Sequence, residues 1–202
     1  MNHVRQIVLA MAIPAAFAAT AQAQGPGRPT VGIFAGVTSV NGDFKDEVGN
    51  GWLAGGLIKM RAYGSLDLRA DGTYVKLGSR DLAGTAATVS TDASIVFGTL
   101  NALLNLSPDS ADYPGDNHVT PYVLAGAGWY ELDYKAECTG SCEGFIDPGK
   151  KTHVGMNAGF GATVPVLGIR TFAEARYHRI SRKSIDGGAR SMILISVGVK
   201  VR

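Results

Sequence analysis

Residues 170–178, Arg-Thr-Phe-Ala-Glu-Ala-Arg-Tyr-His, alternate so that Arg170, Glu174, Arg176 and His178 share one face of a strand. Thr171, Ala173, Ala175 and Tyr177 share the other, and a helix would scatter both sets. The same period of two, bounded by clusters of Gly, Asn, Asp and Pro, predicts eight strands at about 30–39, 52–62, 66–77, 92–104, 120–134, 152–164, 169–180 and 190–201. Connections at 63–65 and 165–168 are tight. Those at 40–51, 78–91, 135–151 and 181–189 are longer, polar and rich in glycine. The 105–119 connection interrupts this alternation, because it falls where a tight turn is due yet carries Pro108, Pro114 and Gly115.

The chain opens on Met1-Asn2-His3-Val4-Arg5, continues through an apolar stretch from Ile7 to Ala19, and reaches Ala21-Gln22-Ala23, an A-x-A cleavage pattern. Residues 1–23 are expected to be a cleaved signal peptide, and 24–202 the mature domain. Pro14 interrupts the apolar stretch, which falls short of the roughly 20 residues of a spanning helix. The remaining chain of roughly 180 residues suffices for one domain or one small barrel. Of nineteen Lys and Arg only Arg5 lies in the leader, and all seventeen Asp and Glu lie beyond it. Such balance argues against a nucleic-acid partner, which calls for a net basic face.

Behind an export signal, alternating strands with charges on one parity suit a closed barrel in a membrane, apolar toward lipid and charged toward the lumen. Lys59 and Arg61 share one parity of the second strand, Asp67, Arg69 and Asp71 one parity of the third, and Glu131 and Asp133 one parity of the fifth. A Lys or Arg facing lipid at the bilayer centre costs about 2–4 kcal/mol. Several of them would cancel a domain stability of about 5–15 kcal/mol, so all three sets are assigned inward. The opposite faces, with Ile58, Met60, Leu66, Leu68, Leu124, Leu132, Ile193, Ile195, Val197 and Val199, are then expected to meet acyl chains. Trp52, Tyr74, Tyr130, Tyr134 and Tyr177 near loop ends, with Tyr63 and Tyr122 near turn ends, form expected interfacial girdles.

The segments Pro121-Tyr122-Val123-Leu124-Ala125-Gly126-Ala127-Gly128, Gly155-Met156-Asn157-Ala158-Gly159-Phe160-Gly161 and Glu174-Ala175-Arg176-Tyr177-His178 resemble the outer membrane protein β-barrel domain family, the OmpA-like eight-stranded group. The resemblance implies an all-β fold: an eight-stranded antiparallel transmembrane β-barrel with short periplasmic turns and longer extracellular loops. It implies location in the bacterial outer membrane and names no ligand. Members commonly end in an aromatic residue that the insertion machinery recognises, whereas this chain reads Val199-Lys200-Val201-Arg202.

The expected lumen network comprises Lys59, Arg61, Asp67, Arg69, Asp71, Glu131, Asp133, Arg170, Glu174, Arg176, His178 and Lys200, with charges that nearly cancel. Eight strands leave an interior that side chains can fill, so a salt-bridged plug is the primary reading and a narrow channel for small molecules the secondary one. Cys138 and Cys142, spaced C-x3-C, suit a small disulfide in an oxidising compartment. The competing reading is a metal site completed by His153 or Glu137. His178 invites comparison with outer-membrane lipid A deacylases. However, Ser181 lies three residues on, at opposite strand parity, and the His-x-Ser-Asn pattern is missing. Asp43, Asp46 and Glu47 suit calcium or a solvated loop equally.

These readings predict a non-enzymatic, monomeric barrel without catalytic residues, metal or cofactor, which supports the envelope or presents its loops. Its expected partners are outer-membrane lipid and lipopolysaccharide, periplasmic chaperones and the β-barrel assembly machinery. The rival is a soluble periplasmic lipocalin-like barrel binding a small apolar ligand, with the apolar parity inside.

Overall fold

The computed structural model describes residues 29–42, 44–78, 80–83, 87–107, 118–140, 149–167, 169–181 and 190–201, with backbone alone at 46–47, 80–83, 87–91 and 136–140. In chain order the elements are β1 (Thr30–Asn41), a helical turn α1 (Phe44–Glu47), β2 (Gly49–Tyr63), β3 (Leu66–Gly78), β4 (Arg80–Ala83), β5 (Ala87–Asn105), β6 (Thr120–Gly140), β7 (Gly149–Val166), β8 (Ile169–Ile180) and β9 (Arg190–Val201). Neighbouring strands run β3-β2-β1-β9-β8-β7-β6-β5, every pair antiparallel, and β3 pairs back onto β5. The outer part of β5 also pairs with β4, which prolongs β3 along the same wall. The nine segments therefore build a closed barrel of eight strands with no free edge.

Tyr63 pairs with Leu66 and Val166 with Ile169, so each of these hairpins turns on two residues. Gly64 supplies the positive φ of the first turn (53°) without strain. Leu167 takes the same region in the second (φ 51°), fully exposed at 98% and with its Cβ against the following carbonyl. Leu167→Asn should relieve about 1 kcal/mol of that strain. Its denaturant midpoint after refolding should rise at unchanged slope.

The fifth and sixth segments reach further than the sequence periodicity indicates. The β5–β6 ladder continues from Asp92↔Lys135 to Ala87↔Gly140, where 78–91 and 135–151 read as loops. The run Thr88-Val89-Ser90-Thr91 favours strand, but its alternation carries no apolar face, because beyond the bilayer neither side needs one. A membrane crossing takes about 9–11 residues. β6 has 21. This hairpin therefore projects past the barrel rim.

On β6 the faces are the reverse of the sequence assignment. Tyr122, Leu124, Tyr130, Leu132 and Tyr134 are buried inside, whereas Trp129 is exposed on the outer wall. Glu131 and Asp133 share the parity of Trp129 and point outward. They lie loopward of Trp129, in a belt that also holds the exposed ion pairs Lys76–Asp92 and Lys150–Glu131. There the outer wall has left hydrocarbon, and the charge penalty that fixes parity at the bilayer centre no longer acts.

Val31, Ile33, Leu68, Leu100, Phe160, Ile195 and Val197 project from the outer wall with Trp52, Tyr74 and Tyr177 at its loop end and Tyr63 at its turn end. Inside, the loop-end half is filled by an apolar cluster that includes Val40, Leu53, Val75, Leu77, Ile95, Phe97, Tyr130, Leu132, Ile180 and Met192. Phe44 of α1 and the adjoining Val48 join it from above. The turn-end half holds the buried charges beside a smaller apolar cluster of Leu103, Tyr122 and Leu124.

Candidate functional site

The polar half of the lumen is built in tiers, because every strand of the wall presents alternate residues inward. Nearest the turns, Lys59 of β2 meets Asp67 of β3 at 2.8 Å, Arg61 approaches the same carboxylate at 3.4 Å, and Asn105 donates to it at 3.0 Å. Lys200 of β9 donates to Thr163 and sits over the rings of Phe172 and Tyr122, 4.7 and 5.2 Å from their centroids. Arg170 is half-buried beside it, paired across the β8–β9 ladder with Lys200.

The next tier spans the bore. Arg69 and Asp71 on β3 face Glu174 and Arg176 on β8, with Arg69–Glu174 at 2.6 Å, Arg69–Asp71 at 2.7 Å and Arg176–Asp71 at 3.1 Å. Arg176 also donates to Glu174. Tyr122 adds a hydrogen bond to Glu174 (2.8 Å), and Asn101 adds one to Asp71 (2.7 Å). All four ionic side chains are sealed from solvent to 5% or less. Two cations and two anions cancel, so each charge is compensated by neighbours rather than by water.

Above this quartet the lumen turns aromatic and apolar. His178 Nδ1 lies 2.8 Å from the Tyr130 hydroxyl, and Phe97 stacks on Tyr130 with centroids 5.0 Å apart. At the mouth the Arg190 guanidinium lies between Phe44 (5.4 Å) and Tyr134 (5.3 Å), bracing α1 over the opening.

The wall thus brings together Lys59, Asp67, Arg69, Asp71, Glu174, Arg176, His178 and Lys200 as buried inward groups, with Arg61 and Arg170 at the turn-end rim. Glu131 and Asp133 do not join them, because both pair outside with Lys150, at 3.0 and 3.7 Å. Cys142, Asp43 and the side chains of Cys138, Asp46 and Glu47 lie outside the described residues, as do residues 1–28. Among the described residues no cluster of three or more His, Cys, Asp and Glu could hold a metal ion. Charge-based parity misses the neutral members of the site: Thr99, Asn101, Asn105, Asn157, Tyr122 and Tyr130. Asn101 and Asn105 share a parity with Thr99 on a strand whose other face reads Leu100, Ala102 and Leu104, which is a usable signal.

A closed eight-stranded wall, apolar outside between aromatic belts and charged within, defines an integral protein of the bacterial outer membrane. The outer membrane protein beta-barrel domain matches residues 8–202, and the chain belongs to that family. Among solved structures, Neisserial surface protein A (NspA) is 19% identical with a TM-score of 0.57, covering 86% of this chain and 96% of that one. The N-terminal β-barrel domain of Pseudomonas aeruginosa OprF is 18% identical with a TM-score of 0.48, over 87% and 100% of the two chains. OprG from the same organism is 11% identical with a TM-score of 0.44, over 88% and 98%. These likenesses concern the fold alone. A comparison with curated protein sequences finds no match.

Proposed function

We propose that this barrel is a non-enzymatic, monomeric wall element of the outer membrane, closed to solute flow, which supports the envelope and presents its loops at the cell surface. The observation that carries this reading is the quartet of Arg69, Asp71, Glu174 and Arg176, which bridges β3 and β8 across the bore with no charge left uncompensated. An ion crossing there would have to break paired, buried charges, each of which resists separation. The long β5–β6 hairpin gives the surface-presentation reading its support. The charges outside Trp129 suit contact with lipopolysaccharide headgroups. Membership of the family supports delivery by periplasmic chaperones and insertion by the β-barrel assembly machinery, with residues 1–23 removed on export.

Planar-bilayer recording tests the plug. Wild type should give rare, very small openings, and Arg176→Ala should raise their frequency. Large, stable, water-filled channels in wild type would overturn the closed reading.

A further inference from the structure

Beside the quartet, four strands contribute one continuous inward row. Asn101 of β5 pairs with Gly126 of β6, Gly126 with Asn157 of β7, and Asn157 with His178 of β8. Asn101, Asn157 and His178 are exposed by only 3, 4 and 0%. Four of their polar atoms have no hydrogen-bond partner in the protein: Asn101 Oδ1, Asn157 Oδ1 and Nδ2, and His178 Nε2. So many orphaned atoms in one buried row require a ligand, because an unmade hydrogen bond on a buried group is costly.

The orientations are fixed by chemistry. Asn101 Nδ2 donates to Asp71 at 2.7 Å and to Thr99 at 3.0 Å, which uses both of its hydrogens. A carboxylate only accepts, so this amide cannot be flipped, and Oδ1 must face Gly126. There a Cβ would collide with the Leu100 carbonyl and with that oxygen, so only glycine lets Asn101 Oδ1 take the place a side chain would fill. His178 Nδ1 is engaged by Tyr130, which leaves Nε2 one bond to make in either tautomer. Asn101 and Asn157 lie two strands apart, about 10 Å at the backbone, and their carboxamides make no hydrogen bond to each other.

We propose that this row binds two buried water molecules, one over Gly126 between Asn101 and Asn157, the other between Asn157 and His178. The ligand must donate to two amide oxygens, accept from Asn157 Nδ2 and meet an imidazole nitrogen. It must also be uncharged, because the adjoining quartet is already balanced. Water fulfils all of these and routinely makes about three such bonds in protein interiors. The waters join Asp71, through Asn101 and Asn157, to His178 and Tyr130, so the ionic tier and the aromatic tier become one hydrogen-bonded unit with Asn157 at its centre.

The test uses the full mature barrel, refolded in detergent micelles with 15N-labelled asparagine. Cross-relaxation peaks between bulk-frequency water and the Asn157 side-chain amide protons, of the sign expected for a long-lived bound water, are the predicted result. Asn157→Leu should remove them and leave the backbone spectrum of a folded barrel. If that variant fails to fold, a high-resolution crystal structure of wild type decides instead, with two ordered waters expected along the row. An absence of cross-relaxation in wild type, or density showing Asn157 bonded directly to His178, would overturn the proposal.

Discussion

Glu174→Ala should lower the unfolding free energy of the refolded barrel by about 3–5 kcal/mol, the cost of stripping one partner from a buried ion pair. Glu174 accepts from Arg69 Nη1 at 2.6 Å, from Arg176 Nε, and from the Tyr122 hydroxyl at 2.8 Å. Its removal leaves two sealed guanidinium groups sharing Asp71 alone, with a phenol deprived of its acceptor. Coupling Glu174→Ala with Arg176→Met should recover part of the loss, since the double variant removes one surplus cation and keeps the alkyl volume. Glu131→Ala is the control. That carboxylate is 44% exposed and paired with an equally exposed Lys150, so its loss should shift stability by no more than about 0.5 kcal/mol. Equal small effects at both positions in urea titrations would mean that the lumen charges are solvated, and the plug would have to be given up.

The contrast between Glu174 and Glu131 also marks where sequence alone is informative. On β3 and β8 the alternation continues through the lipid-spanning part of the wall, and Asp67, Arg69, Asp71, Glu174 and Arg176 all fall on the parity that hydrocarbon forbids outside. The strand boundaries near them were legible for the same reason, as were the tight turns at Gly64 and Leu167. On β6 the charges that set the assignment, Glu131 and Asp133, stand loopward of Trp129. The residues that lie within the membrane on that strand are Gly, Ala, Leu, Val and Tyr, which carry no such penalty in either direction. Two exposed acids therefore reversed the reading of a whole strand. The outer reach of β5 and β6 stayed hidden because pairing there rests on backbone hydrogen bonds rather than on an apolar face. The link from Asn101 to His178 was out of reach too, since it depends on the register of four strands, which one sequence does not state.

A charge placed on the outer wall should behave according to depth, and this separates lipid contact from mere exposure. Leu100 projects outward at 68% exposure, midway between the outward-facing Val96 and Leu104 on the stretch of β5 below its loop-end extension. Leu100→Arg should therefore destabilise the barrel in bilayers by about 2–4 kcal/mol, the cost of an arginine at the midplane. Asp133→Arg places the same side chain on the outer wall beyond Trp129, where Asp133 now stands 28% exposed beside Lys150. Arginine there meets headgroups and water, so its cost should fall to about 0–1 kcal/mol. Both substitutions leave the lumen untouched, because both positions carry outward parity. Folding titrations of the two variants in phospholipid vesicles compare them directly. A penalty at residue 133 as large as that at residue 100 would place the membrane boundary beyond Asp133 and undo the outward, solvent-side assignment of the β6 charges. Indifference at both positions would deny the outer wall any contact with hydrocarbon.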